Sequence, residues 1–277
     1  MKIGLAFGSG GARGFGHLPV IGALEDLGLK PSVIAGSSIG SIVGAGLAAG
    51  MTQADWEDYC LSTFSHSDNA LRRLWSLMPL SWKELWECGL RFLQFNLESI
   101  LENFLPRDFS RDFCALKIPF CAVATNLKTA EMVIIQEGDL RSALAASSAI
   151  PGLFKPVLRN HILLVDGAVC NPVPFDCFIE PVDLSIGVDV IGPPIVDCKN
   201  GHVSVAESLI AASVVGQQAL VAARLRFSNL DLLLRPPIDG IHILDFLEAK
   251  EILQRLAPFR EKAKREISQL IENSMAH

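Results

Sequence analysis

Gly36-Ser37-Ser38-Ile39-Gly40 is a G-x-S-x-G pentapeptide directly after a short apolar run, Val33-Ile34-Ala35. Small, uncharged residues follow it as far as Gly50. This is the sequence form of a nucleophile elbow, in which a serine sits on a tight strand-to-helix turn with its hydroxyl exposed. Gly36 and Gly40 suit such a turn, because strand and helix approach each other too closely there for side chains. At average glycine and serine usage about 0.1 such matches arises by chance in a chain of this length, so the context has to decide. A serine hydroxyl is a weak nucleophile until a base takes its proton. Acyl transfer through Ser38 therefore needs a base, and donors for the oxyanion of a tetrahedral intermediate.

The donors are expected in Gly8-Ser9-Gly10-Gly11-Ala12-Arg13-Gly14, a loop that follows the first strand-like run. In a parallel sheet this loop lies at the same carboxyl edge as the elbow. No side chain blocks the N–H groups of Gly10 and Gly11, and Arg13 adds positive charge nearby. The base is harder to place. A triad in the order Ser, Asp/Glu, His finds no suitable late loop around His17, His66, His161, His202, His242 or His277. His17 falls in the first helix and reads as packed or capping. Asp166 is a better candidate, because it ends the apolar run Ile162-Leu163-Leu164-Val165 and Gly167 lets the chain turn at once. A Ser–Asp dyad works if the carboxylate is desolvated enough to be a stronger base than free aspartate. An Asp-Gly pair alone is equally a common turn.

These residues need a scaffold. Residues 2–7 read as a buried strand, and the glycine loop leads into an amphipathic helix through about Leu27, with Leu18, Ile21, Leu24 and Leu27 on one face. Pro19 should kink that helix. Residues 32–35 read as a second strand and 39–50 as the helix after the elbow. The chain thus opens β-loop-α-β-turn-α, the pattern of a parallel sheet covered by helices. Residues 52–112 hold Trp56, Trp75, Trp82 and Trp86 among many leucines and phenylalanines, and read as an all-helical insertion. Strands are expected at 119–125, 131–136, 162–165, 184–190 and 230–234, and helices at 139–148 and 204–226. A charged helical tail from about 245, interrupted by Pro258, is expected to cap the sheet with Leu247, Ile252, Leu253 and Leu256 inward. The expected architecture is a three-layer αβα fold with a mainly parallel central sheet. Residues 1–277 are read as one domain carrying a helical insertion at about 52–112.

Composition narrows the function. With 277 residues, half of them hydrophobic, the chain can bury a substantial core. A net charge of −6 argues against a nucleic-acid surface. Seven cysteines with no C-x-x-C pair read as buried small residues in a reducing compartment. The N-terminus lacks a signal-peptide pattern. Val33–Ala54 carries no charge and spaces Gly36, Gly40 and Gly44 like a membrane-helix packing motif. It is weakly apolar, however, and the elbow accounts for its glycines.

Taken together, the three motifs resemble those of the patatin-like phospholipase family, in particular its short bacterial single-domain forms. That family combines a glycine-rich oxyanion loop carrying a basic residue, a G-x-S-x-G elbow and D-G-[AG]. Here these are Gly8–Gly14, Gly36–Gly40 and Asp166-Gly167-Ala168. The stretches Ala146-Ser147-Ser148-Ala149-Ile150-Pro151-Gly152 and Asn171-Pro172-Val173-Pro174 also look like the family. The resemblance covers most of residues 1–195 and is weaker across 52–112. It implies Ser38 as nucleophile, Asp166 as base and an oxyanion site at Gly10, Gly11, Ala12 and Arg13. Gly8, Gly14, Gly36, Gly40 and Gly167 would shape the motifs. It further implies a lipid or small-ester substrate and neither metal nor cofactor. The expected setting is cytoplasmic and peripheral, with transient membrane-surface contact. Ser9 departs from the family pattern, since glycine is common there.

Two competing functions are weaker. A nucleotide-binding loop would need G-x-G-x-x-G, but that frame from Gly8 ends on Arg13, and no acidic residue ends the second strand. A catalytically silent relative that binds lipid or protein would keep the same residues. Residues 70–97 are expected to wall an acyl-chain pocket or touch lipid, or else simply to pack on the sheet.

Overall fold

The computed structural model describes residues 1–64, 96–106, 109–196 and 203–275. Its sheet is built from β1 (Ile3–Phe7), β2 (Val33–Ser37), β3 (Phe120–Asn126), β4 (Met132–Ile135), β5 (Val157–Arg159), β6 (Ile162–Asp166), β7 (Leu184–Val188) and β8 (Leu232–Leu234). Five strands run parallel in the order β8-β7-β1-β2-β3. The other three, β4, β5 and β6, pair antiparallel at the β3 end.

The eight described α-helices are α1 (Leu18–Asp26), α2 (Ile39–Ala49), α3 (Gln53–Phe64), α4 (Leu97–Phe104), α5 (Leu140–Ser147), α6 (Val205–Phe227), α7 (Ala249–Leu256) and α8 (Phe259–Met275). They cover both faces of the sheet, so β1 and β2 are buried throughout and apolar on both sides. Strand alternation sorts the core. Leu5, Phe7, Ile34, Phe120 and Ala122 face the larger side, packed with Ile21 of α1, Val43 of α2, Trp56 of α3, Leu144 of α5 and Leu256 of α7. Ala6 faces the other side, against Val214 and Val221 of α6 and against Val173 and Phe175. The architecture is the expected three-layer one.

One register positions the site. Ser37 of β2 lies opposite Val123 of β3, and Asp166 of β6 lies opposite the next residue, Ala124. β4 occupies the other edge of β3 from Ala122 to Thr125. β2 and β6 therefore share one edge of β3, run in opposite directions and meet at their carboxyl ends. The sequence placed Asp166 at the end of a strand but did not show which way that strand runs. Antiparallel pairing of β6 brings Asp166 to the elbow head-on.

Local chemistry sets the helix ends. Asn96 and Asp139 cap α4 and α5 with their side chains, and Ser204 and Glu207 form a capping box on α6. Pro19 does not kink the first helix as expected. The chain runs through a 3-10 turn at Gly11–His17 and α1 begins only at Leu18, so Pro19 sits in the first turn, where its missing N–H is not needed. Strand β5 was not anticipated. Pro258 separates α7 from α8, and Ile252, Leu253 and Leu256 are buried as expected. Of the 52–112 stretch, α3 and α4 are helical. Trp75, Trp82, Trp86 and nearly all of the expected pocket wall at 70–97 lie outside the described residues.

Candidate active site

Ser38 is the residue between β2 and α2. Its backbone has φ 55 and ψ −128, a positive-φ conformation unusual for a residue with a side chain. Such a conformation costs on the order of 1–3 kcal/mol and persists only where its surroundings enforce it. Gly40 is part of that enforcement. A Cβ there would collide with the carbonyl oxygens of Phe7 and Gly8, so only glycine lets α2 start against the end of β1. The turn leaves the Ser38 hydroxyl pointing away from the helix it precedes. It does not cap α2, but donates a 2.6 Å hydrogen bond to Asp166 Oδ2.

Asp166 is 3% exposed and Ser38 5%. Burial raises the Asp166 pKa from 3.8 to about 6, against the lowering influence of the Ser38 hydroxyl and the Ala168 N–H. The second carboxylate oxygen accepts that N–H at 2.8 Å, which leaves Oδ2 turned to Ser38. Thr125 Oγ1 donates to the Asp166 carbonyl at 2.9 Å and fixes its backbone. Gly167 is packed under the same junction, where a Cβ would strike the Val123 carbonyl and the Ser37 hydroxyl. The result is a buried carboxylate hydrogen-bonded to a serine of positive φ, and burial makes such a carboxylate more basic than a free aspartate.

The glycine loop lies across from this pair, and its backbone donors are unequal. Ala12 N–H donates to Ile243 O at 2.9 Å and Arg13 N–H to Gly10 O at 3.2 Å. Gly10 and Gly11 N–H have no acceptor among the described residues, nor has Ile39 N–H at the start of α2. Of the four expected oxyanion positions, Gly10 and Gly11 therefore keep backbone N–H donors without an acceptor, and Ala12 and Arg13 do not. Gly11 has φ +59, and a Cβ there would meet Ile243 O.

The structure places Arg13 differently from its expected role. Its guanidinium is buried and donates to three carbonyls: Ile241 O at 2.7 Å, Pro193 O at 3.0 Å and Ile191 O. Burial lowers its pKa, with Asp245 and Asp239 opposing. Arg13 thus ties the loop to distant segments, and it lines neither cavity at Ser38. His17 has a comparable part. It is fully buried, its Nε2–H donates to Gly8 O at 2.9 Å, and burial drives its pKa down to about 4. It is a packed neutral histidine supporting the loop. Gly14 packs against Ile39. Ser9, which breaks the glycine pattern, neither crowds the loop nor faces solvent. Its hydroxyl donates to Gln217 Oε1 at 3.0 Å.

Two cavities meet at Ser38, and Gly11, Ile150 and Ile243 border both. One is almost wholly apolar, walled by Phe15, Leu18, Ile42, Trp56, Phe64, Leu101, Phe154 and Phe246. The other holds Asp166, Gly10, Ser9, Gln217 and Ser213 beside Leu209 and Ile210. Sequence reasoning missed two contributors. Ser147 Oγ donates to Val123 O at 2.6 Å and accepts Ser38 N–H at 3.1 Å, bracing the elbow. It lies in the Ala146–Gly152 stretch, which was its only signal. Ile243 borders both cavities and Leu244 and Phe246 wall the apolar one, and nothing in their sequence marks them.

A patatin-like phospholipase family model matches residues 5–179, which contain the glycine loop, the elbow and Asp166-Gly167-Ala168. An uncharacterised NTE family protein of Mycobacterium tuberculosis is 34% identical over 196 residues, 69% of this chain and 49% of that protein. A patatin-like phospholipase domain-containing protein of Caenorhabditis elegans is 31% identical, over 63% of this chain and 12% of its own length. Lysophospholipase NTE1 of Cryptococcus neoformans is 32% identical, over 62% of this chain and 10% of its own length. The chain thus spans at most about half the length of these curated relatives. The solved structure of VipD from Legionella pneumophila aligns with 96% of this chain and 67% of its own at a TM-score of 0.46 and 12% identity, too loosely to bear on function.

Proposed function

This chain belongs to the patatin-like phospholipase family, and on that premise we propose that it is a lipid acyl hydrolase working through a Ser38–Asp166 dyad. The 2.6 Å hydrogen bond from Ser38 Oγ to Asp166 Oδ2, buried where two cavities meet, carries this reading. Asp166 takes the hydroxyl proton as Oγ attacks the ester carbonyl. The carbonyl oxygen gains negative charge and is met by the unpaired N–H groups of Gly10 and Gly11. Asp166 then passes its proton to the departing alkoxide, leaving an acyl-Ser38 ester. Water entering the emptied leaving-group side gives a proton to Asp166 and attacks the acyl carbon; the Oγ–acyl bond then breaks, Asp166 returns the proton to Ser38 Oγ, and the free carboxylic acid leaves. None of these steps calls on a metal or cofactor. The apolar cavity fits the acyl chain, and the cavity bordered by Ser9 and Gln217 fits the leaving group.

A fluorophosphonate probe tests this directly. It is expected to label the wild type and to leave Ser38→Ala unlabelled. Lipid and lysolipid esters should turn over in parallel. No labelling of the wild type, or labelling that survives Ser38→Ala, refutes the proposal and leaves a silent binding relative in its place.

A further inference from the structure

Helix α6 carries no charged residue between Glu207 and Arg224. Its sheet-facing side, with Val214 and Val221, is packed against Ala6, Val173 and Phe175. Its other side presents Val205, Leu209, Val215 and Phe227 at 62%, 60%, 52% and 89% exposure. By length and composition Glu207–Phe227 could cross a membrane, but its packed side holds it lengthwise along the sheet. A helix apolar on every side normally has every side covered. An uncovered apolar surface of this extent marks contact with lipid or with another protein.

Its position in the fold decides between them. Leu209, Ile210 and Ser213 line the same cavity as Asp166 and Ser38, and the half-exposed Val169 adds to its apolar lining. A protein seated on this face would cover the mouth through which an ester enters and its alcohol leaves. A lipid surface would present the ester at that mouth. We propose that the exposed face of α6 docks on a lipid surface of zwitterionic or neutral headgroups, lying in the interfacial plane with the Asp166 side of the site turned toward the lipid. The choice of lipid rests on the hydrolase reading above. The face is uncharged from Ser208 to Ala223, with Glu207 and the exposed Arg226 near its two ends, so docking depends on apolar burial and responds little to salt.

The test is flotation with phosphatidylcholine vesicles at low and high salt, using the wild type and a Val205→Lys/Val215→Lys double variant. Both positions are exposed, and neither lines the cavity. The wild type is expected to float equally at both salts. The double variant should partition about tenfold more weakly, and should hydrolyse vesicle-borne ester about tenfold more slowly. Its thermal unfolding and its turnover of a monomeric water-soluble ester should stay within about twofold of wild type. Equal flotation of both proteins, or no flotation of the wild type, overturns the proposal. So does a wild-type dimer that the double variant dissolves, which would make a second copy the occupant. Weakened flotation with no ester turned over by either protein would instead remove the hydrolase reading and leave the docking face standing.

Discussion

Asp166→Asn separates what the carboxylate does for catalysis from what it does for the fold. The substituted amide keeps an oxygen for the Ala168 N–H and has nearly the same volume, but it can neither ionise nor take the Ser38 proton. Burial raises the Asp166 pKa from 3.8 to about 6, a disfavouring of the folded carboxylate by about 3 kcal/mol. Because the folded pKa lies above the unfolded one, the folded protein holds this proton more tightly. Its contribution to stability is fully present below pH 3.8 and is lost as pH rises to about 6. At pH 8 the wild type therefore carries the whole disfavour and the variant none. Asp166→Asn should be more stable by up to about 3 kcal/mol there, a gain of several degrees in Tm, with the difference vanishing below about pH 4. Its kcat should fall by about a thousandfold, the scale of a lost general base. In the wild type, kcat/KM should rise with pH through an apparent pKa of about 6. Denaturant unfolding across pH, run beside ester turnover, reads both quantities. A variant less stable than wild type at pH 8 would show a structural carboxylate. One that keeps a tenth of the activity would show that the base is elsewhere.

Other substitutions test the supports. Gly11→Val places a Cβ on Ile243 O at φ +59. It should reduce fluorophosphonate labelling by at least about a hundredfold, and unimpaired labelling would contradict the oxyanion role of this loop. Ser147→Ala strips the Val123 carbonyl and the Ser38 N–H of a buried partner. It should cost about 1–3 kcal/mol in denaturant unfolding, whereas a neutral result would show that the elbow holds itself. Arg13→Met leaves two buried carbonyls and one half-buried carbonyl without their donor, so it should destabilise by about 3 kcal/mol; full stability with slowed turnover would return Arg13 to an electrostatic role. For His17, the folded pKa of about 4 lies below the usual 6.5. Its contribution is present above pH 6.5 and lost as pH falls toward 4, and His17→Gln should flatten the fall in stability across that window. An unchanged slope would mean that His17 is not the group titrating.

Most of the chemistry was legible as short motifs because each is a local constraint. Gly36 and Gly40 are dictated by chain segments within a few residues of Ser38 or by the strand beside it. The glycine loop follows its strand directly. The apolar runs of β1, β2 and β6 are what buried strands require. Where sequence reasoning went astray, the cause was distant. Pro19 seemed to kink a helix because nothing local showed that the 3-10 turn delays α1 to Leu18. Arg13 seemed a free charge because its three acceptors lie about 180 and 230 residues away.

Residue types and order thus determined a serine that needs a base, a carboxylate after a strand and a donor loop between two predicted elements. Tertiary structure decided whether they meet. Ser38 and Asp166 are 128 residues apart, and they touch because β2 and β6 end head to head along one edge of β3. It also decided which loop donors stay unpaired, how deeply the carboxylate is buried, and that one uncharged helix keeps a bare face beside the site. Those are properties of strand pairing and burial, set by contacts between segments far apart in the chain.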